Sequence, residues 1–244
     1  MPRPILEKIA TLLAKWVAQD CLLCRRALRH NEGDTGLCAA CRSQCKPLRA
    51  GCRRCALPLA AASDLCGDCL KNRPAFARSH SALPYQTPIS ELILSLKRGK
   101  NLPPIRALSQ LFVDHLQTQW QAHPEPPPDA LVPIPLHWRR QLRRGFNQSL
   151  ALAHPIGQHL GLPVCPQWLA RTHPTRSQQG LSRRERIANI RADCFQAAPA
   201  VQGKRIALFD DVMTTGATMN AAAKALLAAG ASEVQAWSLA RAKG

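Results

Sequence analysis

Apolar and polar positions fall into three textures along this chain of 244 residues. Ile5, Ile9, Leu12, Leu13 and Trp16 lie on one helical face, which predicts an amphipathic helix within residues 1–20. Glu7, Lys8 and Lys15 run through it, so it is too short and too charged for a bilayer span and does not fit a secretory signal. Residues 21–70 have few long apolar runs and several turn signals. Such a segment buries too little surface to hold itself together and needs a staple.

From Ala82 the texture becomes that of ordinary helices and strands. Residues 89–99 and 105–120 carry apolar positions at helical spacing, and 122–129, AHPEPPPD, is a proline-rich connector expected to be extended and solvent-facing. Residues 130–135, ALVPIP, predict a short strand ended by proline. Residues 149–161 predict a helix disturbed by Pro155, and 164–171 are a weak strand candidate. RIALFDD, 205–211, is the strongest strand. An alanine-rich helix follows over 217–229, with Gly230 just past its end, and a closing strand over 233–240. Strands alternating with helices predict an α/β fold, a mostly parallel sheet with helices packed on it.

Charge narrows the partners. With 33 Lys and Arg against 15 Asp and Glu, the formal net charge is +18. That balance favours a polyanion, either nucleic acid, a phosphorylated ligand or an anionic surface. The eleven cysteines supply the missing staple. Eight form four C-x-x-C pairs: Cys21/Cys24, Cys38/Cys41, Cys52/Cys55 and Cys66/Cys69. A C-x-x-C turn aims both sulfurs at one ion, and two such turns complete a closed, structural Cys₄ zinc site. The simplest pairing is sequential, with Cys21, Cys24, Cys38 and Cys41 on one zinc and Cys52, Cys55, Cys66 and Cys69 on the other. An interleaved pairing satisfies the same spacing. A redox or disulfide cluster is the alternative chemistry, disfavoured in the cytoplasmic setting expected for this chain. Cys45 is the odd thiol, and Cys165 and Cys194 read as small apolar residues.

In RIALFDDVMTTGAT, 205–218, apolar positions place Asp210 and Asp211 at the carboxyl end of a strand. Ligands of open α/β sheets bind just outside such ends. Thr214, Thr215, Gly216, Ala217 and Thr218 then turn into the alanine-rich helix, whose N-terminus suits a phosphate. Two carboxylates repel that phosphate but accept hydrogen bonds from neighbouring hydroxyls. A ribose 5-phosphate carries both groups.

The stretch closely resembles the signature for phosphoribosyl pyrophosphate (PRPP) in type I phosphoribosyltransferases. The resemblance implies that Asp210 and Asp211 bind the ribose hydroxyls, while Val212, Met213 and Thr214 to Thr218 form the 5′-phosphate cradle. The order of the cysteine pairs, ELILSLKRGK, VPIPLHWRRQLRRGFNQS, RTHPTRSQQGLSRRERIANI and FDDVMTTGATM resembles the ComF/GntX family over residues 21–244. That family joins a double zinc-ribbon module to a type I phosphoribosyltransferase-like domain and is associated with DNA uptake and utilisation. The implied division is a helix over 1–20, a ribbon module over 21–70 and a phosphoribosyltransferase-like domain over 71–244. Two structural Zn²⁺ ions, Mg²⁺ accompanying PRPP, and a protein partner in the DNA-uptake machinery are implied with it.

Between His137 and Arg191 stand ten arginines, no lysine and one acid, Glu185. Arginine's planar fork grips phosphate and stacks on bases. One reading gives a subset to the pyrophosphate: Pro133 resembles part of the pyrophosphate loop, followed by Arg143, Arg144, Gly145, Asn147 and Gln148. Here Arg143 joins Asp210 and Asp211 as a catalytic candidate. The second reading is a track for single-stranded DNA with Phe146 or Trp138 as a stacking platform. A solvated charge run is the third. Lys97 closes its helix where lysine is favoured anyway, and the resemblance turns it toward the site. The chain is therefore expected to be a phosphoribosyltransferase or a DNA-handling protein that keeps the pocket for binding or regulation.

Overall fold

The computed structural model describes residues 20–29, 32, 35–48, 51–59, 64–98, 102–136, 145–172 and 194–242. The helix expected over 1–20 lies outside them, apart from Asp20.

Two short helices, α1 (Ala39–Gln44) and α2 (Gly67–Lys71), belong to the cysteine-rich part. Strand β1 (Arg78–Pro84) and helices α3 (Ile89–Arg98) and α4 (Leu102–Ala122) follow, then β2 (Ala130–Pro133) and α5 (Gln148–Leu160). A small hairpin, β3 (Leu169–Arg171) with β4 (Phe195–Ala197), precedes β5 (Arg205–Met213), α6 (Ala217–Ala228) and β6 (Glu233–Arg241). The sheet order is β1-β6-β5-β2, every pair parallel. This is the expected α/β architecture.

Burial on both faces explains the strand composition. Helices α3, α4 and α5 cover one face, where Phe112 meets Phe209 edge-on at 5.4 Å and Trp237 at 5.7 Å. Helix α6 and the β3–β4 hairpin cover the other, around Phe76, Leu208 and Met219. The strand predicted last in sequence, β6, lies in the interior of the sheet, with eight of its nine residues buried. β1 was not legible because His80, Ser79 and Ser81 dilute its apolar pattern. It pairs with β6 nonetheless, and the buried Ser81 and Ser238 hydroxyls share a 2.6 Å hydrogen bond.

Pro155 does not break α5, which runs through it. Gly157 lets that helix approach the next segment, since a Cβ there would lie 2.8 Å from the Leu162 carbonyl oxygen. The proline-rich connector is mostly exposed, but Glu125 turns inward against Trp120 and Arg78, and Pro128 is buried. The expectation of a wholly solvent-facing connector fails there, because an inward carboxylate satisfies groups the sheet edge leaves unpaired.

The ribbons are built twice on one plan. Cys21 N–H donates to the Arg26 carbonyl and Cys52 N–H to that of Leu57. The residue after each second cysteine, Arg25 or Ala56, is left-handed, with φ of 62° and 54°. The first ribbon packs on α4 in the same apolar cluster and pairs Arg42 with Asp114. The second lies along β1, where Ser79 N–H donates to the Arg53 carbonyl and Leu48 N–H to that of Ala82. An otherwise open sheet edge is thereby covered.

Trp237 is fully buried among Phe112, Trp120 and His80. Trp237→Ala should cost about 3–5 kcal/mol, read as a lower denaturant midpoint at unchanged zinc content.

Candidate functional site

In each cysteine cluster the four sulfurs lie within 4.8 Å of one another, and the clusters are Cys21, Cys24, Cys38, Cys41 and Cys52, Cys55, Cys66, Cys69. The pairing is sequential. Sulfurs on a tetrahedral zinc lie about 3.8 Å apart, given Zn–S bonds of about 2.3 Å. Cys24 and Cys38 are 3.8 Å apart and Cys55 and Cys66 are 3.6 Å apart, so the donor sets fit the ion. Burial opposes ionisation of Cys21, but backbone N–H groups of Cys38, Cys24 and Leu23 hold its pKa down at about 6. Cys52 is held at about 7 against burial by N–H groups of Cys66, Cys55 and Arg54. Burial instead pushes Cys41 up to about 12 and Cys55 to about 11. Four sulfurs ionise together only around a cation. The spare thiol, Cys45, is buried and bonds the Cys41 carbonyl at 3.4 Å.

The second centre forms at the carboxyl ends of β2 and β5. Helix α5, leading from β2, and α6, leading from β5, go to opposite faces, which opens a crevice between the strands. Strand β5 continues through both aspartates to Met213, and Asp210 lies opposite Ser238. Ser149 Oγ, in the first turn of α5, donates to Asp210 Oδ1 at 2.7 Å, and the Asp211 N–H reaches the same oxygen at 3.0 Å. The Val212 N–H donates to Asp211 Oδ1 at 2.9 Å. Asp210, Val212, Met213, Thr214, Gly216 and Thr218 line a shallow cleft of about 30 Å³.

Gly216 is the N-cap of α6 with φ 77°, a left-handed conformation that favours glycine. It makes no side-chain cap, and Thr215 Oγ1 accepts from the Ala217 N–H at 3.3 Å. The dipole of the helix makes this end suited to an anion.

Arg241, at the end of β6, holds the turn from behind. It is 5 % exposed. Its guanidinium donates to the carbonyl oxygens of Met213, Thr214 and Ala242, and its Nε to that of Cys55 at 2.8 Å. One buried cation thus ties the hydroxyl turn to the second ribbon. The Asn220 side chain accepts from the Ala75 N–H at 2.7 Å, and Arg54 donates to the Pro74 and Phe76 carbonyls beside it. The ribbon therefore buttresses the segment under α6. No sequence signal marks Arg241, whose role depends on which carbonyls the fold leaves open around it.

Other predicted residues are placed differently. Asn147 caps α5, accepting from Ser149 and Leu150 N–H groups while its Nδ2 donates to the Ile134 carbonyl. Gln148 is buried, and its Nε2 has no partner among the described residues. Pro133 is buried in β2 opposite Phe209, while Gly145 lies just before α5 with φ 75°. Lys97 lies in the last turn of α3, with its side chain outside what is described. Arg143, Arg144, Phe146's upstream neighbours through His137 and Trp138, and nine of the ten arginines lie outside the described residues. The tenth, Arg171, stands over the Phe195 ring at 5.2 Å. Burial lowers its pKa, opposed by the charges of Cys194 and Asp210. Cys165 and Cys194 are both buried.

Comparison with known proteins adds two domain matches, a double zinc ribbon domain over residues 13–70 and a phosphoribosyl transferase domain over residues 148–244. The DNA utilization protein YhgH of Salmonella typhi is 35% identical over 221 residues, covering 91% of this chain and 96% of that protein. Competence protein F of Haemophilus influenzae is 33% identical over 225 residues, with the same two coverages. The chain belongs to the ComF/GntX family. Among solved structures, adenine phosphoribosyltransferase from Leishmania tarentolae aligns with a TM-score of 0.37 and 16% identity, over 63% of this chain and 74% of that one. The family's two-module arrangement, cysteine ribbon and parallel α/β sheet, is the one described above.

Metal analysis should return about two zincs per chain, falling to about one in Cys41→Ser; a metal-free, disulfide-bonded protein would refute the assignment. Arg241→Gln leaves buried carbonyls unpaired and should cost at least about 3 kcal/mol, measured by denaturant unfolding of the zinc-loaded protein.

Proposed function

We propose that this protein binds PRPP, or a closely related ribose 5-phosphate, in the crevice at the end of β5. The observation that carries the reading is the juxtaposition of two carboxylates with a hydroxyl-rich turn on a helix N-terminus. Asp210 and Asp211 accept from the ribose hydroxyls, and residues Thr214 to Thr218 hold the 5′-phosphate. Asp210 is already oriented by Ser149, which presets its carboxylate for the sugar.

Displacing pyrophosphate from the ribose C1 develops positive charge on the sugar and negative charge on the leaving group. Asp210 and Asp211 suit the first change. Arg143 and Arg144 belong, in this proposal, to the basic segment that meets the second, with Pro133, Gly145, Asn147 and Gln148 shaping the loop. Magnesium, a cation that prefers oxygen ligands, would enter with the pyrophosphate and offset its charge. The family relationship and the +18 charge support a role in DNA utilisation, within the cytoplasm. The phosphoribosyl acceptor in that role would be a base or nucleotide. The working division is a ribbon module over 21–70 and a phosphoribosyltransferase-like domain over 71–244.

A second reading keeps the pocket for regulation and gives the arginines to single-stranded DNA. It is favoured by the names of the relatives, which speak of DNA utilization and competence.

Calorimetry with PRPP and Mg²⁺ should show saturable binding, weakened roughly hundredfold in Asp210→Asn/Asp211→Asn. No heat of binding to the wild type would end the proposal. Pyrophosphate release with a panel of bases selects the transferase. Its absence, together with DNA affinity that falls steeply with salt, selects the DNA-handling reading.

A further inference from the structure

A second cavity, of about 420 Å³, opens between the second ribbon and the first half of β1. It shares no lining residue with the crevice at Asp210. Its volume lies within the range of small-molecule sites, roughly 300–1,000 Å³. Ser79, His80 and His115 form its inner wall, and Arg53, Arg78 and His123 stand toward the outside.

The chemistry of the lining is lopsided. Its one carboxylate, Glu125, is already engaged by Trp120 Nε1 at 2.9 Å, by Arg78, and by His80 Nε2 at 2.9 Å. Burial opposes its ionisation, but the close contact of His80, the bond from Trp120 and the charge of Arg78 hold its pKa at about 2. It therefore stays ionised and is matched by its own neighbours. Each of the groups left over can donate. Ser79 Oγ is buried without a hydrogen-bond partner among the described residues. Arg53 and Gln119, whose side chains carry further N–H donors, line the same space. Burial and the neighbouring His80 push His115 down to about 4, so it is neutral and offers one ring N–H. Cys52 also lines the cavity, so the thiolates of the zinc-loaded ribbon offset part of the positive charge, and it is the donors, with the Arg53 guanidinium at the mouth, that suit an acceptor-rich anion. Leu48, Gly51 and Ala56 add an apolar wall for a flat group attached to it.

We propose that this cavity is a binding site for a small phosphorylated ligand of mononucleotide size, held by Arg53, Ser79, Gln119, His115 and His123. Because Arg53 comes from the ribbon and the histidines from α4 and the connector beyond it, the ligand bridges the two modules. It does so on the β1 side of the sheet, apart from the crevice of β5.

The test uses the zinc-loaded full chain and adenosine 5′-monophosphate, with inorganic phosphate and adenosine as companions. Adenosine 5′-monophosphate should bind saturably and shift the imidazole resonances of His115 and His123. Adenosine alone should leave them in place. Arg53→Gln/His123→Gln should weaken that binding by about tenfold or more, as expected for lost charge-assisted hydrogen bonds, with zinc content unchanged. Binding that persists undiminished in the double variant, or that leaves both imidazoles unmoved, overturns the site. A 5′-phosphorylated oligothymidylate that displaces the nucleotide makes a strand end the natural source of the phosphate. Failure to displace it makes the source a free mononucleotide.

Discussion

The carboxyl end of the sheet depends on one buried guanidinium. Arg241 has no carboxylate among the partners described above. It is stabilised by four backbone carbonyl oxygens at a strand end, a turn and a zinc knuckle, of which that of Met213 also accepts from the Ala242 N–H. Burying a charge is unfavourable unless its hydrogen bonds are met, and leaving carbonyls unpaired is unfavourable too. The two penalties cancel only when the ribbon, β5 and β6 are all in place. The hydroxyl turn is therefore a product of the whole assembly, although its residues are contiguous.

The ribbons follow from the same need for completeness. A parallel sheet requires cover on both faces, and its edges present unpaired backbone groups. The helices and hairpin cover the faces. The second ribbon lies against the edge strand β1 through Ser79 and Arg53, while the first packs its cysteines into the apolar layer around α4. Fifty residues with little apolar surface of their own gain a stable conformation from metal ligation and from the domain they cover.

The two candidate sites divide the electrostatics between them. Around β5, acceptors and donors are kept apart: Asp210 and Asp211 on the strand, the helix N-terminus and hydroxyls in the turn. A ligand must then carry donors at one end and an anion at the other. Beside β1, the one lining carboxylate is held by its own neighbours, and each of the side chains that Arg53, Ser79, Gln119 and His115 bring to the lining can donate. The first arrangement suits a sugar phosphate. The second suits an anion with little demand for an acceptor.

Local pattern sufficed for much of this. The spacing of four C-x-x-C pairs announced two tetrahedral sulfur sites, because a knuckle's geometry is fixed by two intervening residues. RIALFDD followed by TTGAT announced a strand, a turn and a helix N-terminus, because each step has a short-range physical cause. β1 was hidden, since its polar residues become acceptable only against Ser238 and under the ribbon. The sequential pairing of the cysteines, Ser149 as the partner of Asp210, Asn147 as a helix cap, and Arg241 and Glu125 as buried ions were decided by tertiary structure alone. Each is a match between groups far apart in the chain, and a side chain's hydrogen-bonding role is set by which donors and acceptors the fold leaves open around it.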